Sequence, residues 1–169
     1  MWKRLLLAVD AFESGQTAVD FAIGLAGAVG ADVWVLHLRE LSRHGRVLAL
    51  ETPAESRLVV DEAVFALRLA GVGADGRAGS VLTEYVPKRI ALEAEVCGCD
   101  AVILGSRRLR GFDRLSGRAV RERLVRLCAL PVMVAPPPLV DGLHSPAWLK
   151  AAQPGGGASG SGSPSRGVP

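Results

Sequence analysis

Continuous apolar runs alternate along this chain with segments whose apolar residues recur every three or four positions. Leu5–Val9 is apolar throughout and stops at Asp10, the pattern of a strand covered on both faces. Ala18, Phe21, Ala22, Leu25 and Val29 follow at helical spacing, with Ser14 placed to cap that helix and Gly30 to end it. Val33–Leu38, β-branched and aromatic, reads as a second strand. A loop holding His44 and Gly45 then leads to Thr52-Pro53-Ala54-Glu55, which combines a cap, a first-turn proline and a glutamate three residues beyond the cap. The helix it opens turns Val60, Ala63, Val64 and Leu67 to one face and ends at Gly71.

Arg77–Leu82 is a weaker third strand. Pro87 opens a helix with Ile90, Ala94 and Cys97 on its inner face and Gly98 at its end. Ala101–Leu104 is a fourth strand, fully apolar. A long arginine-rich loop follows, then a helix expected to carry Val120, Leu124, Leu127 and Cys128 inward, and Pro131–Ala135 closes the pattern as a fifth strand. Strands and helices alternating at these lengths predict an α/β domain, a five-stranded parallel sheet with helices on both faces. From Pro136 the composition shifts: residues 137–169 are rich in Pro, Gly and Ser and cannot bury enough surface to order themselves. The expected division is a domain over 1–136 and a tail over 137–169, in which Pro146–Lys150 could form one helical turn.

Composition bounds the function. A length of 169 residues suits one domain, and 49% hydrophobic residues with 5% aromatics suit a core of Leu, Val, Ile and Ala. The net charge of +3 is carried by arginine, since Lys3, Lys88 and Lys150 are the three lysines; mild basicity alone is weak ground for a nucleic-acid partner. Cys97, Cys99 and Cys128 have no CxxC spacing, so reduced thiols in a cytoplasmic protein are expected rather than disulfides or zinc. No apolar run approaches the about 20 residues of a membrane helix, and no membrane partner is expected. Met1 to Asp10 lacks a signal-peptide core and cleavage site.

Gly71-Val72-Gly73-Ala74-Asp75-Gly76 spells GxGxxG. The dinucleotide fingerprint must leave a strand and open a helix, so that the helix N-terminus meets pyrophosphate. Here the motif leaves a helix and enters a strand, which makes it a stop and a turn. Ligands of open parallel sheets bind at the carboxyl ends of the strands, and two loops qualify by position. One begins Asp10-Ala11-Phe12-Glu13-Ser14; the other runs from Gly105-Ser106-Arg107-Arg108 to Ser116-Gly117-Arg118-Ala119-Val120. The second is long for a β–α connection and leads to a helix N-terminus, where anions are favoured.

Leu6-Leu7-Ala8-Val9-Asp10, Val35-Leu36-His37-Leu38, Ala101-Val102-Ile103-Leu104-Gly105-Ser106 and Leu130-Pro131-Val132-Met133-Val134 together resemble a universal stress protein domain. The resemblance runs from about Lys3 to Pro136, with the motifs in order and at the right spacing. It implies a five-stranded parallel sheet in flavodoxin-like order, adenine nucleotide alpha hydrolase-like, and a homodimer paired through the last strand, here Pro131–Ala135. One branch of that family binds ATP through a G-x2-G-x9-G-[S/T] loop, whose final pair sits at a helix N-terminus. Aligned from Gly105, the pattern places Arg108 at the second glycine, Arg118 at the third and Ala119 at the hydroxyl, so only the first position matches. Ser116-Gly117 lies nearby, reversed and off register. Asp10 matches a residue that helps hold the nucleoside, Leu38 falls where a backbone contact to adenine is expected, and Gly105-Ser106 opens the phosphate loop. Ala11 and Phe12 replace the Gly and Ser common after the aspartate.

Arginine in place of glycine either fills the space a ribose or phosphate would occupy or supplies charge to a phosphate directly. One form of the first alternative is an Arg108 or Arg118 side chain paired with Asp10 inside the pocket. Eight arginines lie between Arg107 and Arg126, against Asp113 and Glu122; they read as a solvated face or as an anion-binding patch for nucleotide, nucleic acid or an acidic partner. No helix-turn-helix and no aromatic interleaving accompany them. His37 reads as a satisfied core histidine, and no catalytic constellation emerges. The expectation is a non-enzymatic stress-response protein that dimerises, contacts a protein partner and needs no cofactor, with ATP binding weak or lost. The alternatives are a nucleotide-binding protein taking ATP with magnesium on an arginine-rebuilt site, and an anion- or nucleic-acid-binding module.

Overall fold

The computed structural model describes residues 1–10, 13–44, 46–49, 51–105 and 113–136, with side chains left aside at 13–14, 42–44, 46–49 and 113–119. By internal contacts the chain divides into Met1–Pro138 and Leu139–Pro169, and the second unit lies outside the described residues. The first contains β1 (Arg4–Val9), α1 (Glu13–Val29), β2 (Asp32–His44), β3 (Arg46–Ala49), α2 (Pro53–Leu69), β4 (Ala74–Leu82), a 3₁₀ turn (Thr83–Tyr85), α3 (Val86–Val96), β5 (Ala101–Leu104), α4 (Asp113–Leu127) and β6 (Val132–Val134).

Five strands run parallel in the order β4-β2-β1-β5-β6. The α/β class and the five-stranded parallel sheet are as expected. The detailed order is 3-2-1-4-5 counted over the parallel strands, whereas a flavodoxin order runs 2-1-3-4-5. The cause lies in which face each helix covers. One core cluster joins Ala18, Ala22 and Ala26 of α1 and Val60, Ala63 and Leu67 of α2 to Leu5, Leu7, Val33 and Val35; the other joins Ile90 and Ala94 of α3 and Leu124 of α4 to Leu6, Leu36 and Val102. Right-handed crossovers on one face step in one direction across the sheet. Two of them carry the chain from β1 outward to β2 and β4, and α3 on the opposite face brings it back to the far side of β1.

Leu5, Leu6 and Leu7 are fully buried, as a strand covered on both faces requires. Helices α1, α2 and α3 run into Gly30, Gly71 and Gly98, at φ of 69°, 81° and 63°, a conformation only glycine adopts without cost. Each glycine of the GxGxxG segment has a local reason that involves no ligand. Gly71 ends α2; a Cβ at Gly73 would overlap the Asp32 carboxylate; a Cβ at Gly76 would overlap the Val35 carbonyl oxygen and meet Val60 of α2 at 3.0 Å.

Three local expectations are corrected. The loop expected after Leu38 is instead the continuation of β2 to His44, followed by β3, which pairs antiparallel through Leu41↔Ala49 to His44↔Arg46. Leu41 pairs with Leu82 as well, so both edges of β2 are used there, and Gly45 between the strands lies outside the described residues. Ser14 does not precede α1, which already begins at Glu13. Leu127 is 54% exposed: the inward line runs through partly buried Val120 and buried Leu124 of α4 to partly buried Cys128 just past its end, and Leu127 falls beside it.

Between α3 and the sheet, Glu93 is 1% exposed. The Trp34 indole donates to it at 3.1 Å, Arg77 Nε at 2.6 Å and Arg77 Nη2 as well, and Arg89 Nη2 stands 3.5 Å away. Asp100, just ahead of β5, accepts the Lys3 and Arg4 backbone N–H groups at 2.6 and 2.9 Å. Those two bonds hold its carboxyl below the ordinary range and lock the start of β1 against β5.

Candidate functional site

The strand order reverses between β1 and β5, since the chain leaves β1 toward β2 on one side and returns as β5 on the other. Crevices at such switch points take the ligands of open sheets. The register states what converges there. Val9 pairs with His37 and Ala8 with Leu104, so Asp10, Leu38 and Gly105 each follow a residue at the carboxyl end of this pairing. Three of the residues expected at the site are thereby placed on neighbouring strands: Asp10 and Gly105 just past the ends of β1 and β5, and Leu38 inside β2, which runs on to His44. Ser106 and Arg108 lie outside the described residues. Arg118 and Ala119 have described backbone inside α4, as its sixth and seventh residues from Asp113.

The amino end of α1 closes tightly over Asp10. A Cβ at Gly15 would overlap the Asp10 carbonyl oxygen, so glycine is required for this approach. Beside it, a half-open pocket of about 160 Å³ is lined by Val9, Asp10, Gly15, Gln16, Val19, Val59, Glu62, Ala63 and Ala66. Its walls are aliphatic and its polar lining consists of two carboxylates and one amide.

His37, expected as a satisfied core histidine, is 3% exposed and fully engaged. Its Nδ1 lies 2.9 Å from the Val9 carbonyl oxygen, and its Nε2 lies 2.8 and 3.0 Å from the two carboxylate oxygens of Glu51. Arg39 donates from Nη1 to the Glu51 carbonyl at 3.3 Å and from Nε to Ser80 Oγ at 3.1 Å. Immediately beyond Glu51, Thr52 caps α2: its Oγ1 accepts the Glu55 N–H at 3.2 Å, and the Glu55 carboxylate accepts the Thr52 N–H at 2.7 Å. This capping box was legible in the sequence. Glu51 was not, because nothing in the local pattern ties it to a histidine 14 residues earlier.

Asp10, Leu38 and Gly105 thus stand where open parallel sheets commonly take ligands. Among the described residues no group of three or more His, Cys, Asp or Glu is placed to hold a metal ion, and no helix is long and apolar enough to cross a membrane. Arg123 and Arg126 of α4 are exposed and Arg121 half-buried; Arg107 and Arg110 of the arginine-rich stretch lie outside the described residues.

No curated protein matches this chain by sequence. Solved structures do. A protein from the universal stress protein family of Burkholderia pseudomallei superposes with a TM-score of 0.61 at 23% identity, over 79% of this chain and 96% of that one. The universal stress protein from Archaeoglobus fulgidus in complex with dAMP gives 0.60 at 21%, over 79% and 98%. A universal stress protein family protein from Arabidopsis thaliana with AMP bound gives 0.56 at 17%, over 85% and 96%. At these identities the likeness carries the fold. The family model for the Universal stress protein family matches residues 1–136, and this chain therefore belongs to the universal stress protein family.

Proposed function

We propose that this chain is a non-enzymatic, cytoplasmic universal stress protein that acts as a homodimer through protein contacts and binds ATP weakly or not at all. The observation that carries the reading is the start of α4 at Asp113. In an α-helix only the first four backbone N–H groups lack an internal acceptor. At the sixth and seventh positions the Arg118 and Ala119 N–H groups are committed to the helix, whereas a G-x2-G-x9-G-[S/T] cradle needs that pair at the helix N-terminus, facing phosphate. The residues present do not fit a triphosphate there, so no step of the function is routed through ATP or magnesium. The dimer reading rests on β6, which among the described strands is paired on one side only and exposes Val134 to 43%. Three free thiols accord with a reducing compartment.

A second reading, nucleotide binding at the same crevice with arginine serving the phosphate, is supported by the relatives whose structures hold dAMP and AMP and by the convergence of Asp10, Leu38 and Gly105. Calorimetric titration with ATP and magnesium, AMP and adenosine separates the two. The first reading expects no ATP binding up to millimolar concentration, with adenosine at least as tight as AMP. Micromolar ATP binding would overturn it in favour of an arginine-rebuilt site. Steeply salt-dependent binding of polyanions would instead point to the arginine face.

A further inference from the structure

Helix α2 covers one face of the sheet with Val60, Ala63 and Leu67 and leaves a second apolar line uncovered. Leu58, Phe65 and Leu69 are 55%, 68% and 77% exposed. At 100° per residue they fall within about 40° of one another around the helix, so they form one stripe. Asp61 and Arg68 both lie about 70° to the same side of it, and both are exposed. They stand about 10.5 Å apart along the axis.

We propose that this stripe is a self-association face, on which α2 of a second copy of this chain docks antiparallel across a two-fold axis. The charge pattern selects the occupant. A two-fold perpendicular to two antiparallel helices brings the same flank of each together, so a residue meets the one equidistant from the axis. With the axis midway between Val64 and Phe65, Asp61 meets Arg68 of the partner copy and Arg68 meets its Asp61. The same placement sets the two Phe65 rings against each other at the centre. It also brings Leu58 within about 3 Å, along the axis, of the partner copy's Leu69. One register thus pairs both charges and all three apolar side chains. Arg68 Nε donates to the Ala74 carbonyl at 2.8 Å, which leaves the terminal nitrogens of the guanidinium to a partner. Glu62, on the opposite flank, meets no cation in this register, and three apolar residues per copy make a small patch, so the contact belongs to the weak, concentration-dependent class. It involves the β4 side of the sheet, the edge opposite β6, and is independent of the nucleotide reading.

The test is sedimentation velocity of the full chain across a concentration series, repeated for Phe65→Glu, Asp61→Arg, Arg68→Asp and the double exchange Asp61→Arg/Arg68→Asp. Far-UV circular dichroism confirms that each variant folds. The expected result is an association step that Phe65→Glu removes, that each single charge reversal weakens by about tenfold or more, and that the double exchange restores. Val134→Asp should leave this step in place, which separates it from pairing through β6. A wild-type chain without concentration-dependent association, single reversals without effect, or a double exchange that fails to recover the step would each overturn the proposal.

Discussion

Two glutamates are held by side-chain partners on opposite sides of this sheet, and their surroundings assign them different work. Glu93 lies between α3 and the strands, with 1% of its side chain exposed, and takes donors from Arg77, Trp34 and Arg89. Glu51 lies on the other face, just ahead of α2, with 19% of its side chain exposed, and its carboxylate has His37 alone as a side-chain partner among the described residues. Burial pushes the Glu93 carboxyl up, but hydrogen bonds from Arg77 and Trp34 and the Arg77 charge outweigh it and hold the group below its ordinary 4.5. A buried carboxylate bonded by Trp34, Arg77 and Cys97 and faced by Arg89 fixes one packing arrangement of β2, β4 and α3. A half-covered one bonded to a single ring holds the segment just ahead of α2 against β2. The same carboxylate chemistry is thus held at two depths.

The largest effect should come from removing a partner of the deep pair. Arg77→Leu leaves Glu93 buried with the more distant Arg89 and the indole. An uncompensated buried charge costs about 3 kcal/mol, discounted here because Arg77 is itself half-exposed. Denaturant unfolding at neutral pH measures it, and a loss below about 1 kcal/mol would show that the deep pair does not organise the fold.

Acid sharpens the same contrast. Glu93 ionises more readily in the folded chain than its ordinary value of 4.5, so its contribution is complete above that value and is lost as pH falls through the lower folded one. In Arg77→Leu the balance reverses: with the guanidinium gone, burial dominates and raises the carboxyl. The variant then regains stability as it protonates. Thermal melts at pH 7 and pH 4 should show the gap between wild type and variant narrowing at the lower pH; a widening gap would contradict the assignment.

At Glu51 the expected loss is smaller. Glu51→Ala removes a charge-assisted hydrogen bond, about 2 kcal/mol, and frees the segment ahead of α2 while the sheet remains intact. Denaturant unfolding should show that loss, and hydrogen exchange should localise the added opening to the residues around His37 and Thr52. Opening spread evenly over β4 and α3 would erase the distinction between the two glutamates.

Much of the frame was legible because it rests on local signals. Leu5–Val9 and Ala101–Leu104 declare buried strands, Gly30, Gly71 and Gly98 declare helix ends, and Thr52 to Glu55 declares a capped start. Asp10 and Gly105 were legible as strand-end residues. What escaped depends on register or on faces. The strand order follows from α1 and α2 sharing a face, which no single segment encodes. The hairpin after Leu38 is hidden by polar Ser42, Arg43 and His44, whose strand conformation comes from pairing with 46–49. Glu93 looks like any exposed helical glutamate until Arg77, 16 residues earlier, is placed beside it. Leu127 obeys helical spacing but misses the burial line by one position.

The smallest effect tests what holds Glu51 in place. Glu51 is bonded through its side chain to His37 and is continuous with the cap of α2, so either link could set its position. Thr52→Ala removes the side-chain acceptor for the Glu55 N–H and should cost about 1 kcal/mol. Its effect should be confined to the first turn of α2, where the orphaned N–H groups lie. If His37 is the anchor, imidazole resonances and exchange at His37 are unchanged in Thr52→Ala and altered in Glu51→Ala. If they change equally in both, the helix cap positions the glutamate and the imidazole merely follows it. The contact between His37 and Glu51 would then be a consequence of α2 folding, and the comparison with Glu93 would reduce to a difference in depth alone.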